Sequence, residues 1–155
     1  MDFDCGVPEL NDYLRFVARQ HVDKGYAQVW VAVSEPGSSQ VMGYYTLSVT
    51  SLAPGEVPRK TGVKKIPGIL LGKFAVDQRY QGQGIGVMLL MDAQRSALCV
   101  SFRVGVYALV VDALDARAAA FYRKYDFEEL NSGPMHLFKT IKDIAHMGLL
   151  DDSEE

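Results

Sequence analysis

The order of apolar and polar positions divides the chain into short strands and helices. Pro8 suits a first helical turn, and Leu10, Leu14, Val17 and Ala18 follow at helical spacing. The segment QVWVAV alternates, with Val29, Val31 and Val33 on one face, and predicts a strand. EPGSSQ is a turn, and VMGYYTLSV predicts a second strand, the antiparallel partner of the first. A Pro/Gly-rich connection from Ala53 to Gly68 is too long for a hairpin loop, which marks it as a candidate functional loop. Ile69 to Val76 is nearly continuous in apolar character, as expected of a strand buried on both faces. A glycine turn follows, then a helix from about Gly84 to Cys99. Val104 to Val111 predicts another buried strand, DARAAAFYRKY a second helix, and MHLFKTI a closing strand. Strand–helix–strand–helix order implies a parallel pair joined by a right-handed crossover. The expected class is α/β, a mixed (α+β) sheet, antiparallel in its first half. Its ligand edge lies at the C-terminal ends of the central strands.

Composition narrows the possibilities. A chain of 155 residues, 48% hydrophobic and 23% charged, is ordinary globular material and long enough for a sizeable core. Residues 1–146 are expected to form a single domain and 147–155 an acidic, frayed tail. No apolar run approaches the roughly 20 residues that span a bilayer, and MDFDCGVPEL carries no signal-peptide pattern. Cys5 and Cys99 fit no C-x-x-C pattern, so a reduced, cytoplasmic setting is expected. The net charge of −3 includes four tail acids (Asp151, Asp152, Glu154, Glu155); setting these four aside leaves +1 for the remainder. Within it RKTGVKK concentrates Arg59, Lys60, Lys64 and Lys65, so a local basic surface survives the acidic total.

The stretch YQGQGIGV places Gly82, Gly84 and Gly86 between a strand and a helix. The candidates are a plain tight turn and a phosphate-binding loop, since orphan N–H groups and the helix dipole converge at such a turn and can bind phosphate. Its register decides which phosphate. A dinucleotide loop needs G-x-G-x-x-G, but Val87 stands where the third glycine belongs, and no G-K-[ST] exists for a P-loop. The pattern present is Q-x-x-G-x-G, from Gln81 to Gly86. With LLGKFAVD before it and AAAFYRKYDF beyond the next strand, it resembles the acetyl-CoA pyrophosphate loop of the GNAT superfamily of N-acetyltransferases. The resemblance runs from about Phe3 to Ile141. It implies the GNAT fold, with helices flanking a central sheet and a parallel strand pair that splays to admit the pantetheine arm of acetyl-CoA. It places Phe74, Ala75 and Val76 beside that arm, and the N–H groups of Gln81, Gly82, Gln83, Gly84, Ile85 and Gly86 around the pyrophosphate.

In the same family F-Y-x-x-x-G-F puts a tyrosine beside the cofactor sulfur, here Tyr122 in FYRKYDF, as general acid for the departing thiolate. Proton transfer from a phenol near 10 to a thiolate near 8.5 runs downhill only if the site lowers the phenol or raises the thiolate. Glycine is usual where Asp126 stands, and aspartate is among the residues that tolerate the left-handed conformation required there. Bases are scarce. His21, His136 and His146 are scattered, Asp112 and Asp115 are expected to cap the second helix, Asp77 to form a turn, and no metal constellation is present. An α-amine, near 7.7 to 8.0, needs a base less than a lysine amine near 10.4.

FDCGVPELNDYL, GYYTLSVTSL and LGKFAVDQRYQGQGIG together resemble the acetyltransferase toxins of bacterial toxin–antitoxin pairs. That resemblance implies aminoacyl-tRNA as acceptor and a ribbon-helix-helix antitoxin as partner. Arg59, Lys60, Lys64, Lys65, Arg79, Arg123 and Lys124 become candidate contacts to tRNA phosphates. Members usually carry a strand before the F-x-C-G segment, where this chain has Met1 and Asp2; an open sheet edge there would favour a homodimer. An acetyltransferase of small-molecule or protein amines, or a non-catalytic acyl-CoA-binding module, fits the glycine turn equally.

Overall fold

The computed structural model describes residues 2–150; Asp151, Asp152, Glu154 and Glu155 of the expected acidic tail lie outside the described residues. The chain opens with α1 (Pro8–Asp12), a π-helical turn (Tyr13–Val17) and α2 (Ala18–Asp23). The strands β1 (Gln28–Val33), β2 (Val41–Leu52) and β3 (Ile66–Val76) follow, then α3 (Ile85–Ser101), β4 (Ala108–Asp112) and α4 (Ala116–Lys124). The hairpin β5 (Glu128–Leu130) and β6 (Gly133–Thr140) leads into α5 (Ile141–Ala145). The six strands form one mixed sheet in the order β1-β2-β3-β4-β6-β5, and its one parallel pair is β3 with β4. This is the parallel pair that the strand–helix–strand order implies. No helix among the described residues is long and apolar enough to cross a membrane.

The chain divides into two compact units. Among the described residues, one comprises 2–48 and 71–93, the other 49–70 and 94–150, so β2, β3 and α3 each contribute to both. In the first unit Phe3, Tyr13, Leu14, Ala18, Val41, Tyr44 and Ala75 form the core. The Tyr44 hydroxyl donates to the Leu10 carbonyl at 2.7 Å, and the first helix widens just beyond it, where the Ala18 N–H reaches back to Tyr13. Helical spacing alone does not reveal this π turn. On the opposite face of β2, Tyr45 stacks on Trp30 at 5.0 Å and donates to Asp92 of α3 at 2.6 Å.

β1 lies at the sheet edge, and its valine face is not uniformly covered: Val31 is 49% exposed. In the second unit Leu52, Val57, Ile66, Ala108, Val110, Leu130 and Phe138 make a separate core. β4 starts later than expected, at Ala108, and β3 earlier, at Ile66. β5 is too short to show a period.

Gly43 marks a close approach to backbone in the first unit. A Cβ there would lie 2.8 Å from Leu89 Cδ1 and 2.9 Å from the Ala75 carbonyl oxygen. The carbonyl belongs to β3 backbone and cannot rotate away. Gly43→Ala is expected to cost about 1–3 kcal/mol by overpacking. Urea unfolding checks this, with a lowered midpoint and an unchanged slope.

Candidate active site

β3 ends at Val76, and the next residue, Asp77, caps a 3-10 turn (Gln78–Tyr80). Its carboxylate is 1% exposed and surrounded by donors. Arg79 supplies its backbone N–H and Nε to Oδ1, both at 2.9 Å, and a terminal guanidinium nitrogen to Oδ2 at 2.9 Å. The Asp4 N–H adds a fourth bond at 3.1 Å, and the Gln78 N–H donates to the Asp4 carbonyl. The Arg79 guanidinium and these N–H groups hold the Asp77 carboxyl down at about 2. Asp77 is thus the turn residue expected, and Arg79 is paired with it.

The glycine turn follows directly. Gln81 Nε2 donates to the Val76 carbonyl at 3.0 Å, and Gln83 Nε2 to the Arg79 carbonyl at 3.2 Å. Gly82 and Gly84 have φ of 78° and 84°, and a Cβ on either would meet nothing within 4 Å. Glycine is needed there by conformation, and the space beside it is open. α3 begins at Ile85 and runs 17 residues, its first turn closed by Met88 N–H on the Gly84 carbonyl. The turn, Ile85 and Gly86 thus stand at the N-terminus of α3, where backbone N–H groups lack intrahelical partners. Ala75 is buried, and Phe74 and Val76 are half-buried. The first unit thus gathers Phe74 to Gly86.

Tyr122 lies in the second unit, on α4. Asp115 caps that helix by accepting from the Ala118 N–H at 2.8 Å. Asp112, the other expected cap, instead accepts from His136 Nδ1 at 2.8 Å. The helix ends in a Schellman motif: Phe127 N–H donates to the Tyr122 carbonyl and Asp126 N–H to that of Arg123. Asp126 sits at φ 72°, the left-handed position where glycine is usual. Phe127 closes the motif against Tyr122, ring centroids 5.7 Å apart. Tyr122 is 6% exposed, and burial pushes its phenol well above the ordinary range. Lys139, which sequence reasoning passed over, is 3% exposed and reaches the end of this helix. The signal was a lone lysine in the apolar alternation of MHLFKTI.

The basic candidates divide by engagement. Arg59 pairs with Glu128, its guanidinium 5.5 Å from the Phe138 ring centroid. Arg123 pairs with Glu129 at 3.2 Å, and the Lys124 ammonium lies 5.8 Å from the Tyr125 ring centroid. Lys60, Lys64 and Lys65 are exposed in the loop between β2 and β3. Lys60 and Lys64 line a concavity of about 750 Å³ with Pro54, Val57, Pro58, Arg59, Val63 and Asn131.

A mixed sheet with one parallel pair, and a glycine turn between its parallel strand and the next helix, is consistent with the fold of an acyl-CoA-dependent transferase. Residues 25–129 match the acetyltransferase (GNAT) domain, and the chain belongs to that family. It is 35% identical over 144 residues to a tRNA-acetylating toxin of Mycobacterium tuberculosis, covering 91% of this chain and 85% of that protein. Among solved structures, a tyrosine-to-phenylalanine mutant of KacT superposes with a TM-score of 0.90 at 32% identity, covering 95% of this chain and 90% of KacT. AtaT complexed with acetyl-methionyl-tRNAfMet gives 0.86 at 32% identity, covering 94% and 89%. An AtaT mutant bound to the C-terminus of the antitoxin AtaR and acetyl-CoA gives 0.79 at 30% identity, covering 96% and 89%.

The depressed Asp77 carboxyl stabilises the fold above its unfolded value near 4, and that contribution is lost as pH falls toward about 2. Asp77→Asn should cost about 2 kcal/mol at pH 7. It should also flatten the fall of stability between roughly pH 5 and 2. Thermal unfolding across that range checks both.

Proposed function

We propose that this chain transfers the acetyl group of acetyl-CoA to the α-amino group of aminoacyl-tRNA, as the toxin of a toxin–antitoxin pair in the cytoplasm. The observation that carries the transferase chemistry is the glycine turn, with Gly82 and Gly84 at positive φ beside open space at the head of α3. That geometry fits a pyrophosphate, which wants several converging N–H donors and no side chains in its way. Gln81, Gly82, Gln83, Gly84, Ile85 and Gly86 would hold it. Phe74, Ala75 and Val76 would lie beside the pantetheine arm. Acetyl-CoA, when bound, supplies a thioester whose leaving group is a thiolate.

Tyr122 Oη holds the proton for that leaving group. Burial keeps the phenol protonated at neutral pH, so the proton is in place when needed. The same burial means that donation runs downhill only toward a thiolate itself raised by desolvation. The acceptor follows from the chain's carboxylates and its relatives. Asp77, Asp112 and Asp115 are bound to Arg79, His136 and the α4 N-terminus, which leaves the acceptor amine to shed its own proton to water. An α-amine on an ester does this more readily than a lysine amine. The M. tuberculosis relative acetylates tRNA, and AtaT is seen with acetylated methionyl-tRNA. Lys60, Lys64 and Lys65 would meet tRNA phosphates, with Arg59, Arg123 and Lys124 beside them in secondary roles. A ribbon-helix-helix antitoxin is the proposed protein partner, after the AtaT–AtaR complex.

Release of CoA thiol with charged tRNA tests the reading directly. Tyr122→Phe should lower kcat by about 10²- to 10⁴-fold and leave acetyl-CoA affinity nearly unchanged by calorimetry. Undiminished turnover removes Tyr122 from the role. Thiol release with polyamines or peptides, but not with charged tRNA, moves the acceptor elsewhere. Gly84→Ala strains a residue at φ 84° and should weaken acetyl-CoA about tenfold in the same calorimetry.

A further inference from the structure

Lys139 has no place in the chemistry above, yet it is a buried charged residue of the second unit. It projects from β6, a strand hydrogen-bonded on both sides, opposite Leu109 of β4. Its side chain is almost wholly removed from water, an expensive position for an ammonium group. Such a charge survives only with donors matched to acceptors. Nζ donates to the Tyr125 carbonyl at 3.1 Å and contacts Met147 Sδ at 3.0 Å, and it stands 5.8 Å from the Phe127 ring centroid.

Tyr125 is the C-cap of α4, where the helix dipole concentrates negative charge and carbonyls lack intrahelical partners. Tyr125 N–H in turn donates to the Tyr122 carbonyl, which also receives Phe127 N–H. Lys139 therefore touches Tyr122 through two routes, one of backbone hydrogen bonds and one through the Phe127 ring. Burial lowers the ammonium, and the carboxylates of Asp126 and Asp143 act against that lowering. Asp126 is the residue standing where the left-handed position favours glycine.

We propose that Lys139 is a positioning residue for Tyr122: its buried ammonium closes the C-terminal end of α4 and offsets the presence of Asp126 at the left-handed turn, so that the phenol is held in one place. The proposal rests on the reading of Tyr122 as general acid. The ammonium acts on geometry rather than on the phenol's acidity, whose rise comes from burial.

The test compares Lys139→Met, Asp126→Gly and the double variant in the full chain. Amide exchange of the Asp126 and Phe127 N–H groups, measured without ligand, should rise about tenfold in Lys139→Met as the helix end opens. With acetyl-CoA and charged tRNA, kcat per folded protein should fall about tenfold while KM for acetyl-CoA stays within about twofold. In the Asp126→Gly background, where no left-handed aspartate needs a counter-charge, the same substitution should cost about threefold or less. Lys139→Gln gives the same comparison if Lys139→Met does not fold. Unchanged exchange with unchanged kcat overturns the proposal, as does an equal loss in both backgrounds. A loss of folded protein at full kcat per molecule assigns Lys139 to stability alone and overturns it as well. The exchange measurement needs no turnover, so it stands even if Tyr122→Phe proves fully active, an outcome that would remove only the catalytic reading.

Discussion

A carboxylate shut away from water must be given donors, and meeting that demand at Asp77 organises the first unit. Four N–H bonds converge on it from Arg79 and Asp4, and they join the N-terminal segment to the end of β3. The strand cannot continue past this knot, because the chain turns to bring Arg79 back onto the carboxylate. The glycine turn starts where the knot ends. Its amides are thus carried on a rigid base, although Gln81 to Gly84 are exposed. Preorganised donors cost nothing to align when an anion arrives.

The second unit solves a related problem at the other end of a helix. A left-handed residue must terminate α4 so that Phe127 can turn back onto Tyr122. Glycine would do so without strain; here aspartate stands, and the buried Lys139 bonds the Tyr125 carbonyl beside it. Both units thus hold their chemistry-bearing segments by pairing a buried charge with backbone groups at a helix end or turn. In each, one member of the pair is remote in sequence from the segment it secures.

That remoteness explains which parts were legible in the sequence. The sheet's parallel pair, the long helix and the Asp115 cap follow from period and local chemistry, which the chain displays residue by residue. Asp126 was legible too, because tolerance of positive φ is a property of the residue itself. Asp112 was misread as a cap because its partner, His136, lies 24 positions away. Lys139 was missed for the same reason, and β5 because three residues carry no period. The ion pair of Arg79 with Asp77 was not legible either, because spacing alone does not separate a paired side chain from an open one.

The commitment of the arginines changes the electrostatic character of the molecule. Arg59, Arg79 and Arg123 each neutralise a carboxylate of the same chain. Such internal pairs carry no condensed small ions and surrender none when a polyanion approaches. Exposed lysines such as Lys60, Lys64 and Lys65 keep the small ions that the paired arginines have given up, and only cations of that kind have ions to release.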